Sequence, residues 1–134
     1  MDAAAAVADL KEISSQVETA AVFADDGSVL ASTFADDAAA ERLARVAREL
    51  LAAAAEAPTA SGRTITQLEV ALPEGSVFVV RDGTRAIAAT TAAQPTAGLV
   101  LYDLRACLRA LDAPPQPKRR ARRKPKAAAE SPDA

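Results

Sequence analysis

Side-chain chemistry at neutral pH most often starts from histidine, and this chain has none. The commonest general base and the commonest metal ligand are therefore missing. One cysteine, Cys107, cannot supply a multi-thiolate zinc site or an internal disulfide. No glycine-rich loop precedes a Lys-Ser or Lys-Thr pair, so a phosphate cradle of that kind is lacking. The acids cluster as Asp25-Asp26 and Asp36-Asp37. A hard cation needs more oxygen ligands at loop spacing, and a turn and a helix cap account for both pairs. Cys107 falls at helical spacing within Leu104–Leu111 and reads as a small core residue. Tyr102 reads as half-buried with its hydroxyl outward. No constellation remains that assigns a catalytic, cofactor-binding or metal-binding residue, and the chain reads as a binding module rather than an enzyme.

Cationic residues are the other resource. Arg42, Arg45 and Arg48 recur at helical spacing beside Glu41 and Glu49. A solvated helix face held by those glutamates accounts for them; contact with the acidic surface of a partner is the functional reading. A second group, Lys118, Arg119, Arg120, Arg122, Arg123, Lys124 and Lys126, is opposed in its segment only by Glu130 and Asp133. Such a run can grip nucleic-acid phosphates by counterion release or an anionic membrane surface by charge. No aromatic residue is interleaved, so base stacking is not on offer. A solubilising tail lying loosely against the acidic body is the alternative. The net charge of −2 thus averages two unlike parts.

The elements that must position these residues follow from periodicity. Residues 2–15 read as a short helix with Val7, Leu10 and Ile13 on one face. Residues 19–24 and 28–33 are strands clasping Asp26-Gly27, a strong hairpin signal because glycine takes positive φ without a Cβ clash. Asp36 or Asp37 caps a helix that runs to about Ala57 and stops ahead of Pro58. Its expected core stripe is Leu43, Val46, Ala47, Leu50 and Ala54. A strand over 64–72 alternates cleanly, and Pro73-Glu74-Gly75 turns the chain. Residues 76–81 are nearly all apolar, as in a strand buried on both faces, and Asp82-Gly83 leads into a last strand over 85–91. A helix opens at Thr96 or Gly98 and runs through Leu111, with Leu101, Leu104 and Leu108 on one face.

The chain is 134 residues long, half of them apolar but only 3% aromatic, so Ala, Leu, Val and Ile must fill the core, with Phe23 and Phe78 its largest members. Residues 1–113 form one domain. Residues 114–134 start with the stiff Pro114-Pro115-Gln116-Pro117 linker and hold nothing aliphatic larger than alanine apart from proline. They are expected to be a disordered tail. No signal peptide or membrane-spanning run is recognised, and a cytoplasmic location is expected. The fold class is α/β (α+β): a three-layer sandwich in the order α-β-β-α-β-β-β-α. A five-stranded, largely antiparallel sheet has the helix after the hairpin on one face and the first and last helices on the other.

Three stretches resemble the roadblock family of dynein-light-chain-like domains. They are Leu10-Lys-Glu-Ile13 running into the Ala20–Ser32 hairpin, the strand block Gln67–Val80 with its Glu-Gly-Ser turn, and Gly98-Leu-Val-Leu-Tyr-Asp-Leu104. The likeness covers roughly Ala3 to Leu111; the basic tail falls outside it. The resemblance implies a small non-enzymatic module that dimerises: the strand after the second helix pairs with its copy, and the second helices lie side by side. Carried onto this chain, that interface is Leu43, Ala47, Leu50, Ala54, Gln67, Glu69 and Val70. Bacterial members resemble partner proteins of small Ras-like GTPases, accelerating hydrolysis or scaffolding, and the helix carrying Arg42, Arg45 and Arg48 is the implied platform. A homodimer that binds such a GTPase, needing no cofactor, is the expectation. A dimeric adaptor attached to nucleic acid or anionic lipid by its tail is the rival.

Overall fold

Strict alternation along one strand organises the whole molecule. In the computed structural model, which describes residues 1–60 and 62–112, the apolar run near Phe78 is β4, Gly75–Asp82. Phe78 and Val80 enter one core cluster and Val77 and Val79 join another, so the strand feeds both faces of its sheet. The preceding elements are α1 (Ala3–Ile13), β1 (Val17–Ala24), β2 (Val29–Ser32), α2 (Asp37–Ala55), a short 3-10 turn at Pro58–Ala60, and β3 (Gln67–Leu72). β5 (Arg85–Ala92) and α3 (Ala97–Asp112) follow. The five strands lie in the order β2-β1-β5-β4-β3, every neighbouring pair antiparallel. Helices α1 and α3 cover one face and α2 the other, which is the expected three-layer order. The basic segment Lys118–Lys126 and the boundary at residue 113 lie outside the described residues.

Local chemistry explains the joints. Asp2 caps α1 by accepting from the Ala5 amide at 2.8 Å, and Asp36 caps α2 by accepting from the Ala38 amide at 3.0 Å. In the first hairpin Gly27 sits at φ +91°, and Asp26 Oδ1 accepts from both the amide and the hydroxyl of Ser28, at 2.9 and 2.6 Å. Those two bonds hold the Asp26 carboxyl below its ordinary pKa, with the Arg48 charge assisting. Gly75 is needed for space: a Cβ there would strike the backbone carbonyl of Thr91 on the paired strand. Sheet and helices are then stitched together. The Thr19 and Thr90 hydroxyls meet at 2.5 Å across β1 and β5, Gln16 Oε1 accepts from the Thr96 amide at 2.6 Å, and Arg85 pairs with Asp112 in the last turn of α3.

Four sequence expectations are corrected, the simplest being Tyr102, expected half-buried but exposed on α3. The core face of α2 is Ala40, Ala44, Ala47 and Leu51, not the stripe led by Leu43, and Val46 is exposed. The two stripes share Ala47, and their centres lie roughly 75° apart around the helix. Alanines turned to the sheet let the helix come close, and the larger residues are left on its flank. Ile13, expected beside Leu10 in the core, is 69% exposed, because α1 ends at that residue and the chain leaves through Ser14 towards β1. The strand expected from residue 64 begins at Gln67.

Cys107 is buried between α1 and α3, as a core residue should be. Desolvation, with the nearby Asp9 charge, raises its thiol pKa from 9.0 to about 11. At that value the thiol holds ~100-fold less thiolate at pH 8 than an exposed thiol has. Iodoacetamide at pH 8 should therefore label the native protein at least about 100-fold more slowly than the urea-unfolded chain. Because the folded pKa is the higher one, stability should fall as pH rises from about 9 to about 11. Fast native labelling would mean that the thiol is open to solvent.

Candidate partner-binding site

The α2 side of the sheet is incompletely covered. Helix α2 packs on β1, β2 and β5, the far half of the sheet from β3. On its flank Leu43, Leu50 and Ala54 are half-buried and Val46 is 39% exposed. Across the sheet, Leu68 and Val70 of β3 are half-buried on the same side, next to Val79 and Val77 of β4. The result is an apolar strip that ends at the free edge of β3.

The hydrogen-bond phase of that edge can be read from one contact. The Arg81 amide donates to the Thr66 carbonyl at 2.8 Å, which makes residues 66 and 81 a hydrogen-bonded pair. The register continues without a bulge through Leu68–Val79 and Val70–Val77. Antiparallel ladders alternate, so the backbone groups of Leu68 and Val70 face β4 and those of Gln67, Glu69 and Ala71 face outward, unpaired within the sheet. Of the seven residues carried over for a dimer interface, six offer at least part of their surface. Ala47 is 0% exposed inside its own protomer and has nothing to present to a second copy.

The arginines divide. Arg42, Arg45 and Arg48 are all exposed on α2. Arg45 and Arg48, with Glu49, line a cleft of about 550 Å³ between α2, the end of β1 and the strand ends of β4 and β5; Arg42 is not part of it. Arg63, Arg81 and Asp25 also line it. Arg48 lies across the hairpin turn, its guanidinium occupying the space a side chain at Gly27 would need. Sequence reasoning missed Arg63 and Arg81. Alternation from Phe78 could have placed Arg81 on the α2 face; nothing in the irregular segment before β3 signals Arg63. Phe23, Leu51 and Ile65 form the apolar part of the cleft wall.

Comparison with known proteins agrees with this geometry. Residues 6–92 match the family model described as Roadblock/LC7 domain. No curated protein matches the sequence. Among solved structures, the Roadblock/LC7 domain from Streptomyces avermitilis superposes with a TM-score of 0.74 at 18% identity, covering 84% of this chain and 96% of that one. The gliding protein MglB from Thermus thermophilus gives 0.67 at 14% identity over 81% and 84% of the two chains. Myxococcus xanthus MglB gives 0.58 at 12% identity over 78% and 77%. Element order, sheet order and a family model spanning both the hairpin and the three-strand meander lead to one conclusion: the chain belongs to the Roadblock/LC7 domain family.

Proposed function

We propose that the protein is a dimeric, non-enzymatic regulatory or scaffolding module that binds a small Ras-like GTPase. The observation that carries this reading is the apolar strip of α2 and β3 running to an unpaired strand edge. A free edge of that kind favours pairing with another chain unless it is covered, and a second copy of the same strip covers it symmetrically. The resulting platform carries Arg42, Arg45 and Arg48 beside Glu41 and Glu49. Mixed charges on a rigid helix suit orientation and association rate. The GTPase partner class rests on the family resemblance, and the presence of MglB proteins among the structural neighbours supports a regulatory adaptor role.

The test uses the full chain, a candidate GTPase from the same cell loaded with either nucleotide, and calorimetry. Reversing both Arg45 and Arg48 to Glu should weaken GTPase binding by at least about tenfold, with the melting temperature and sedimentation of the protein unchanged. GTP binding by the isolated protein as tight as a GTPase's own would overturn the reading. So would a pull-down that recovers only nucleic acid and loses it when residues 118–126 are removed.

A further inference from the structure

The cleft beside α2 concentrates positive charge in an acidic body. Residues 1–112 hold nine Lys and Arg against sixteen Asp and Glu, and four of the nine line this one cleft. Arg45 and Arg48 come from α2, Arg63 from the segment before β3 and Arg81 from β4, so the guanidinium groups approach from three elements. None of the four side chains makes an ion pair or hydrogen bond among the described residues. Asp25 and Glu49 also line the cleft, and the Arg48 charge is felt at Asp26, but among the described residues no carboxylate makes an ion pair with these four guanidinium groups. Like charges gathered without close counter-charges repel one another unless an anion fills the space between them.

We propose that this cleft is an anion site that takes a phosphate group carried by a small organic molecule. Phosphate fits better than carboxylate because its oxygens point in several directions. Planar guanidinium forks arriving from different sides can each engage a separate edge. The volume of about 550 Å³ exceeds what a lone phosphate needs and lies within the range of small-molecule sites. Phe23, Leu51 and Ile65 give the organic part an apolar wall. Asp25 and Glu49 lower the positive field and so oppose the ligand. This inference does not depend on the GTPase reading, and Arg63 and Arg81 lie outside α2, the helix that carries the proposed GTPase platform.

The experiment titrates the full-length chain with pyrophosphate by calorimetry and follows backbone amides by NMR. The double variant Arg63→Gln/Arg81→Gln should bind at least about tenfold more weakly, since each lost contact is a charge-assisted hydrogen bond. Glu49→Gln should bind about threefold more tightly, a gain in affinity that general destabilisation would not produce. The amides of Asp25, Thr64 and Arg81 should shift together on titration. Retention of full pyrophosphate binding in the double variant would assign it to the basic tail and overturn the proposal, as would unshifted amides at the cleft. If the double variant unfolds, Glu49→Gln and the shifts decide. Flotation with phosphatidylcholine vesicles containing phosphatidylinositol phosphate separates the sources. Vesicle binding lost in the double variant makes the ligand a lipid headgroup; pyrophosphate binding lost without any vesicle binding makes it a dissolved phosphate ester. GTPase binding is measured in parallel: its retention in the double variant, with pyrophosphate binding lost, separates the cleft from the proposed GTPase platform.

Discussion

Phe78→Ala should destabilise the protein by about 3–5 kcal/mol, the usual range for truncating a buried phenylalanine. Phe78 is 0% exposed, in the cluster that joins the sheet to α1 and α3. Its partner on β5 is Ala89, and its partner on β3 is Glu69, which is exposed. Ala89 is too small to fill the vacated space, and Glu69 could enter it only by burying a charge. Helix α3 above contributes Val100, Leu104 and Leu108, whose positions are fixed by their own packing. The chain has three Phe and no Trp, so a single ring is a large share of its core volume. The measurement is a urea titration at fixed protein concentration, because dimerisation would add stability by mass action. A lower midpoint with an unchanged slope reports the loss. A cost below about 1 kcal/mol would mean that the site collapses and that the layer is looser than the packing indicates.

Glu69→Pro should split association from folding. The Glu69 amide points away from β4, towards the free edge, so proline there removes a donor that only a second chain could use. In a two-fold dimer the loss occurs twice. At about 1 kcal/mol per ladder bond, dimerisation weakens by roughly 30-fold or more, with ring clashes adding to it. Sedimentation of the wild type should give a dimer at micromolar concentration, and that of the variant a monomer that melts with a cooperative transition. Val70→Pro is a poorer test, because the Val70 amide bonds to β4 and its removal damages the protomer itself. A wild-type monomer, or a Glu69→Pro dimer of undiminished affinity, would remove β3 from the interface.

Most of the fold was legible in the residues because the local signals agree with one another. Asp26-Gly27 and Asp82-Gly83 announce their turns, Pro58 stops α2, and Phe78 sits in a run apolar enough for two buried faces. The orientation of α2 was not legible. Its sequence carries two apolar stripes, and a periodicity argument favours the bulkier one, whereas the close-packed sheet selects the alanine stripe. The candidate site was legible only where it lay on one helix. Arg45 and Arg48 share a face by helical geometry, but Arg63 and Arg81 join them through the path of the chain before β3 and the pleat of β4. Spacing within one element cannot show which distant side chains meet in a cleft.

The position of β5 also bears on how the protein is made. β5 sits in the centre of the sheet, between β1 and β4, though it is the last strand to leave the ribosome. The Thr19–Thr90 contact alone spans 71 residues. When α1, the first hairpin and α2 have emerged, β1 has β2 on one side and an empty ladder on the other. The α1 layer likewise waits for α3. The amino-terminal half is therefore an incomplete sheet with an open inner edge until residue 92 clears the exit tunnel; insertion of the final strand between two waiting neighbours completes the sheet, and α3 then closes the α1 layer. Closing so long a loop is slow compared with forming the local hairpins. Chains stalled between α2 and β5 would expose the Ala20–Phe23 ladder, the most apolar part of β1, and in a crowded cell that species would be the one that needs a chaperone.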